Sequence, residues 1–332
     1  MAGCVAGKAG LEMRVDAGEH DPIMSNINTM NISPLAAIRD RVAARVVGRE
    51  HELDLVLAAV AAGRDLLLEG PPGTSKTTIL KAITAEWGIP LVFVEGNADL
   101  TPAKLVGHHN PARVLKEDYS ADNFTDGPLL EAMKSGGFLY LEELNRAPDD
   151  TLNTLLTAMA ERRITVPRAG TWTAKPTFRV IASMNPYDNI GTTRLSTSVH
   201  DRLCRLAITY QDETAERGIV ALRAPVTQLP GLAPDLYGRL ADDAVALTRA
   251  TREHPDIRQG SSIRGAIDLT LVAGQLLALS SSRYEDSMYD AMTVALSGRI
   301  FLDETVAATP EEVLRLIWED YFILRPAAAE PG

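Results

Sequence analysis

The stretch from Asp65 to Thr78, "DLLLEGPPGTSKTT", constrains this chain more than any other segment. A short apolar run over 65–70 predicts a strand, and "KTTILKAITAEWG" (76–88) predicts a helix closed by Gly88. The loop between them nearly fits G-x-x-x-x-G-K-[ST]. In such a loop successive backbone N–H groups turn inward at a helix N-terminus, where the dipole also favours an anion. Gly70, Pro71, Pro72, Gly73, Thr74, Ser75, Lys76, Thr77 and Thr78 are therefore candidate ATP-binding residues. Lys76 is placed to reach the β- and γ-phosphates, and the Thr77 hydroxyl to bind Mg²⁺. Ser75 stands where the pattern has glycine. It has less backbone freedom than glycine, but it is small, uncharged and able to donate to a phosphate oxygen. Binding is expected to survive; the alternative is an inert strand–turn–helix.

Further apolar strands are expected at "PLVFVEG" (90–96), "GGFLYLEE" (136–143), "TFRVIASMN" (177–185) and "RLAITY" (205–210). Strands alternating with helical patterns imply a parallel sheet buried on both faces. "DDTLNTLLTAMAERR" carries Leu152, Leu155, Leu156 and Met159 at helical spacing, with Asp149 and Asp150 at its start. "ITVPRAGTWTAKPTFRV" suggests a hairpin turning near Ala169–Gly170. After Tyr210 only helices are expected, broken at prolines. The division is an arm over 1–33, a nucleotide-binding core over 34–211 with a hairpin insertion near 162–178, and a helical domain over 212–332.

"FLYLEELNRA" (138–147) supplies a second element, an apolar strand ending in two carboxylates. Strand alternation sends Glu142 and Glu143 to different sides. One, Glu142, would hold Mg²⁺ through water, and the other, Glu143, would orient and deprotonate the attacking water. Adjacent carboxylates at a buried strand end repel and imply a nearby cation; a solvated acidic turn is the alternative. Asn185, held extended by Pro186, could position water or touch the γ-phosphate.

These segments, with "TLLTAMAERRITV", "VIASMNP" and "GTTRLSTSVHDRL", resemble the AAA+ ATPases of the MoxR branch over about residues 46–265. The resemblance implies a P-loop, three-layer αβα domain with a parallel five-stranded sheet, followed by a smaller all-helical lid. It assigns "VVGRE", with Val47 and Gly48, to the adenine side, Arg202 of "HDRL" to an arginine finger, and Arg264 of "GSSIRGA" to sensor 2. It also implies ATP and Mg²⁺ as cofactors and a homo-oligomeric ring, expected as a hexamer. A protein client follows from it as well. "MNPYDNIGTTRLSTSVHDRLCRLAITYQ" is similar to ATPases that accompany von Willebrand A-domain proteins in maturing metalloenzymes such as carbon monoxide dehydrogenase. Glu142 departs from the usual aspartate by one methylene, which leaves the hydrolysis rate open.

Residue chemistry supports both arginines. Arg264 falls in the first turn of a helix capped by Ser261 or Ser262, where a cation opposes the dipole unless it faces a phosphate. Arg202 offers planar charge to a neighbouring γ-phosphate; the bland alternative is an ion pair with Asp201 or Asp212.

With a net charge of −11 and no block of five like charges, a dedicated nucleic-acid surface is not expected. Arg162, Arg163 and Arg168 around the hairpin are weak support for a DNA motor. Cys4 and Cys204 give no disulfide framework or zinc pattern, which fits a reducing cytosol. No apolar run reaches membrane-spanning length. "GHHN" (107–110) reads as a polar loop rather than a metal site, and Tyr119 and Phe124 as packing rather than grip. Three functions are carried forward: a client-remodelling ATPase, an ATP-binding assembly switch with little turnover, and a nucleic-acid motor.

Overall fold

The computed structural model describes residues 35–112, 121–186, 195–229, 231–279 and 283–324. The arm over 1–33 and Tyr119 lie outside them. Helices α1 (Leu35–Ala43) and α2 (Glu50–Ala61) precede β1 (Leu66–Glu69), and α3 (Lys76–Trp87) leads to β2 (Leu91–Glu95). Next come α4 (Pro102–Val106), the ribbon β3 (Gly107–His109) and β4 (Phe124–Asp126), α5 (Pro128–Ser135) and β5 (Phe138–Glu142). Helix α6 (Asp149–Glu161) leads into the hairpin β6 (Arg163–Val166) and β7 (Gly170–Thr173), then β8 (Arg179–Met184), α7 (Thr197–Arg202) and β9 (Cys204–Ala207). The C-terminal part holds α8 (Glu213–Arg223), α9 (Pro234–Glu253), β10 (Ile257–Gln259), α10 (Ile263–Leu279), α11 (Tyr284–Leu296), β11 (Phe301–Leu302) and α12 (Pro310–Glu319).

The expected five strands form one parallel sheet in the order β2-β5-β8-β1-β9. Every residue of β1 is buried, because alternate side chains enter opposite layers. Leu66 and Leu68 pack with Ile79, Leu80 and Ile83 of α3; Leu67 joins Leu139, Leu141, Val180 and Met159 on the other face. Each buried leucine contributes roughly 1.5–3 kcal/mol relative to exposure, so a charge at Leu67 would disrupt the layer formed with Leu139, Leu141 and Val180.

Parallel register sets the strand ends level. Glu69 lies opposite Met184, and the Gly70 N–H donates to the Met184 carbonyl at 3.1 Å. Leu141 lies opposite Ala182, so β5 ends beside β8. Gly70, Glu142 and Asn185 thus emerge along one carboxyl edge of the sheet, where ligands bind in open α/β folds.

Three local expectations change. The hairpin turns slightly earlier than predicted, because Val166 pairs with Gly170 and left-handed Arg168 (φ 62°) sits at the bend. The segment read as a polar loop, Gly107–His109, pairs with Phe124–Asp126, and His109 packs edge-on against Phe124. The helical domain is not wholly helical. Ile257 and Gln259 pair antiparallel with Leu302 and Phe301, a contact too short to leave periodicity in the sequence. That domain otherwise has its own core, with Leu240, Leu247, Leu269, Met288, Val313 and Ile317 among its buried members.

Candidate nucleotide-binding site

The loop after β1 is shaped by close approaches. A Cβ on Gly70 would meet the Ile208 carbonyl at 2.0 Å, and one on Gly73 (φ 76°) would meet the Ser262 side chain at 2.7 Å. Ser75 itself adopts φ 66°, ψ 14°. A non-glycine residue there costs roughly 1–2 kcal/mol, which is why the pattern favours glycine. The Ser75 hydroxyl is engaged, accepting a hydrogen bond from Gln211 Nε2 at 3.1 Å.

Lys76 is 8% exposed. Its ammonium donates to the carbonyls of Gly70 (2.9 Å) and Pro71 (2.8 Å) and, more weakly, to Thr74 Oγ1. Burial pushes its pKa down to about 8; Glu142 opposes this, while Arg264 and Arg49 add to it. A cation so placed gains more from an incoming phosphate than a solvated lysine would.

Glu142 ends β5, and Tyr140 lies two residues earlier on the same side of the strand. The Tyr140 phenol donates to Glu142 Oε1 at 3.4 Å and sits 3.3 Å from Thr77 Oγ1 and 3.0 Å from Ser183 Oγ. Burial raises its pKa, so it stays neutral. Neither Tyr140 nor Ser183 was found by motif reading; the available signal was the two-residue spacing to Glu142.

Glu143 does not follow the strand alternation expected of it. It turns to φ 55°, leaving the strand, so both carboxylates line the same cavity. Arg146 Nε pairs with Glu143 Oε2 at 3.1 Å, a partner sequence reading had not singled out. Asn185 lines an adjoining lobe with Glu143, Arg146 and Ser183.

The first lobe measures about 610 Å³ and the adjoining one about 580 Å³; Lys76, Glu142 and Glu143 border both. Val47, Pro72, Gly73, Thr74, Ser75, Lys76, Thr77, Thr78 and Arg264 line the first lobe. Ile219, Leu222, Ile263 and Ile267 add an apolar wall from the helical domain, with Arg223 beside them. Gly70 borders the second lobe, while the Pro71 carbonyl reaches the site through Lys76. Gly48 does not line it: at φ 63° it is pressed against Ala215. Arg264 is exposed at the start of α10, and its N–H lies a long 3.4 Å from Ser262 Oγ. Arg202 lies outside both lobes, exposed at the end of α7 and donating to the Ser198 carbonyl at 3.0 Å. The alternative ion pairs with Asp201 and Asp212 are not formed; Asp212 instead caps α8.

The residues present fit Mg-ATP. Left-handed Gly73 and Ser75 curve the loop at a helix N-terminus, and Lys76 stands within it. Thr77 and Glu142 are the hard oxygen donors that Mg²⁺ prefers. The apolar wall suits a base. Residues 65–203 match the family model described as AAA domain, dynein-related subfamily. The likeness to an AAA domain thus spans the phosphate loop, both carboxylates and Arg202. It is 27% identical to the gas vesicle ATPase GvpN of Ancylobacter aquaticus, over 84% of this chain and 81% of that protein. It is 28% identical to the uncharacterized protein YeaC of Bacillus subtilis, covering 72% and 77%. A mutant of RuvB from Thermotoga maritima superposes with a TM-score of 0.51 at 17% identity, covering 78% of this chain and 73% of that one; this likeness concerns the fold alone. Among the described residues no helix is long and apolar enough to cross a membrane, and no group of three or more His, Cys, Asp or Glu side chains is gathered to hold a metal by itself.

Proposed function

We propose that this chain is an Mg-ATP-driven AAA+ machine of MoxR type that assembles into a ring, a hexamer, and remodels a protein client. The observation that carries the reading is the division of the parts. Lys76, Thr77, Glu142, Glu143 and Arg264 border one cavity, while Arg202 stands outside it, exposed and paired with no carboxylate among the described residues.

The loop N–H groups and Lys76 hold the triphosphate, and Thr77 and Glu142 hold Mg²⁺, which supplies charge neutralisation when bound. Glu143 accepts the proton of the attacking water, oriented meanwhile by its Arg146 partner. Asn185 steadies that water from the end of β8. Arg264 closes on the phosphates from the helical domain, and Arg202 is presented to the site of the next copy. Such a finger contributes on the order of 10³–10⁵ in rate.

The client reading extends to the maturation of a metal-containing enzyme with a von Willebrand A-domain partner. The similarity to a gas vesicle ATPase also favours a macromolecular assembly as client. Two of the three hairpin arginines that the nucleic-acid reading would use are paired within the chain. Arg162 is bound to buried Asp65 at 2.6 Å, and Arg163 pairs with Glu161 at 3.0 Å. Steady-state phosphate release from the wild type tests the proposal against a low-turnover assembly switch. Turnover that rises on adding a client and not on adding DNA is the expected result. Mg-ATP binding with no phosphate release under either condition would leave the switch in its place.

A further inference from the structure

Gln211 joins the two halves of the molecule, after the last core strand and directly before Asp212, the N-cap of α8. It is 5% exposed, and both ends of its amide are used. Nε2 donates to Ser75 Oγ at 3.1 Å, and Oε1 accepts from Arg49 at 2.9 Å. Arg49, 2% exposed, also donates to the Thr209 carbonyl and to Glu52, so the amide is gripped in one orientation. The Gln211 carbonyl accepts from Arg249 at 3.2 Å. Arg249 and Arg252 both bind Glu216, which is 1% exposed. Arg252 stacks 4.0 Å from the Tyr210 ring and donates to the Ser261 carbonyl, just before the helix that bears Arg264. An unbroken chain of polar contacts thus runs from the phosphate loop to that helix.

Ser75 is the odd member. Glycine would adopt its left-handed backbone without strain, but glycine has no hydroxyl for Gln211. We propose that Gln211 is a positioning residue that reads the occupancy of the phosphate loop through Ser75 and passes it to the helical domain. A hydroxyl both accepts and donates. With a phosphate in the loop, Ser75 donates its proton to a phosphate oxygen while accepting from Gln211. Its orientation is then fixed at both ends, and the junction is drawn toward the loop. The ligand class is a nucleoside di- or triphosphate. The inference rests on the nucleotide-binding reading above and adds a coupling to it.

Gln211→Glu tests this directly, because a carboxylate still accepts from Arg49 but cannot donate to Ser75; it can only accept the Ser75 proton, which takes that proton from the phosphate. Ser75→Ala removes the same bond from the other side and serves where the first variant folds poorly. Calorimetry measures binding of Mg-ADP and of a non-hydrolysable Mg-ATP analogue to the full chain. Hydrogen exchange over 212–223 and 260–267, with and without nucleotide, measures the helical domain's response. Gln211→Glu is expected to bind, and Ser75→Ala to bind more weakly for want of its phosphate contact, while at saturating nucleotide the induced slowing of exchange falls at least about fivefold in both. Combining them should add little to either alone. A merely structural role would speed exchange equally with and without nucleotide, and that result would overturn the proposal. So would a wild-type response in both variants. Failure of the wild type to bind either nucleotide would instead overturn the nucleotide reading, and the coupling with it.

Discussion

Lys76 is a cation held where most water has been removed, and its pH behaviour follows. Its pKa in the fold is about 8, against 10.5 ordinarily. Between those values the unfolded chain holds a proton that the folded chain has released, so stability rises with pH across this window. Binding runs the other way. A phosphate prefers the charged lysine, so above pH 8 binding must take up a proton. Mg-ATP affinity is expected to fall roughly tenfold per pH unit just above 8, with little change between pH 6 and 7. Calorimetry at pH 9 in buffers of different ionisation enthalpy should show uptake of about one proton, absent in Lys76→Ala, which should not bind at all. At the same scale Glu143 and Glu142 divide their roles. Glu143→Gln is expected to bind Mg-ATP and lose hydrolysis, whereas Glu142→Gln should weaken the Mg²⁺ dependence of binding. Turnover surviving in Glu143→Gln and abolished in Glu142→Gln would reverse the two assignments.

At the scale of elements, the site depends on where helices meet loops. Gly48, expected at the adenine side, acts by packing: a Cβ there would stand 2.3 Å from the Ala215 Cβ, and its φ is 63°. The turn between α1 and α2 therefore abuts α8, the first helix of the C-terminal domain. Gly48→Ala is expected to destabilise by about 1–3 kcal/mol through overpacking and backbone strain. The urea midpoint should drop, and nucleotide should recover part of the loss if the site remains intact. An unchanged midpoint would mean that α8 shifts freely, and that the close approach carries no energy. The hairpin β6–β7 is likewise tied down, since Asp65 takes Arg162 on one side and the Val180 N–H at 2.8 Å on the other. Its arginine is thereby occupied in joining the hairpin to the sheet.

For the whole molecule, the decisive question is whether one copy suffices. Arg202 is exposed, and no described carboxylate holds it. If it serves the next copy, Arg202→Ala should bind ATP almost normally and hydrolyse it at least about a thousandfold more slowly. Mixing Arg202→Ala with Lys76→Ala subunits should restore part of the activity, because some interfaces then pair an intact loop with an intact finger. Specific activity of the wild type should also climb with protein concentration. Full activity in a dilute monomer would return Arg202 to an ordinary surface role.

Much of this is legible in the sequence alone. The five sheet strands are short apolar runs bounded by glycine, proline or charge; burial on both faces leaves that pattern in the central β1, β5 and β8, whereas the edge strands β2 and β9 keep exposed positions, contrary to the expectation of a sheet buried throughout. The loop from Gly70 to Thr77 was legible for the same reason: its chemistry is local, and backbone, lysine and hydroxyl are consecutive. What lies far apart in the chain was not. The Tyr140 hydroxyl meets Thr77 and Ser183 only once β1, β5 and β8 are laid side by side. The strands Ile257–Gln259 and Phe301–Leu302 exist only as each other's partners. Glu143 left the alternation of its strand because the backbone turns at its own position, which no period of two can foresee. Ser75 could be read as a small residue tolerated at a glycine position. That its hydroxyl faces Gln211, 136 residues away, was decided by the packing of the domain junction against the loop.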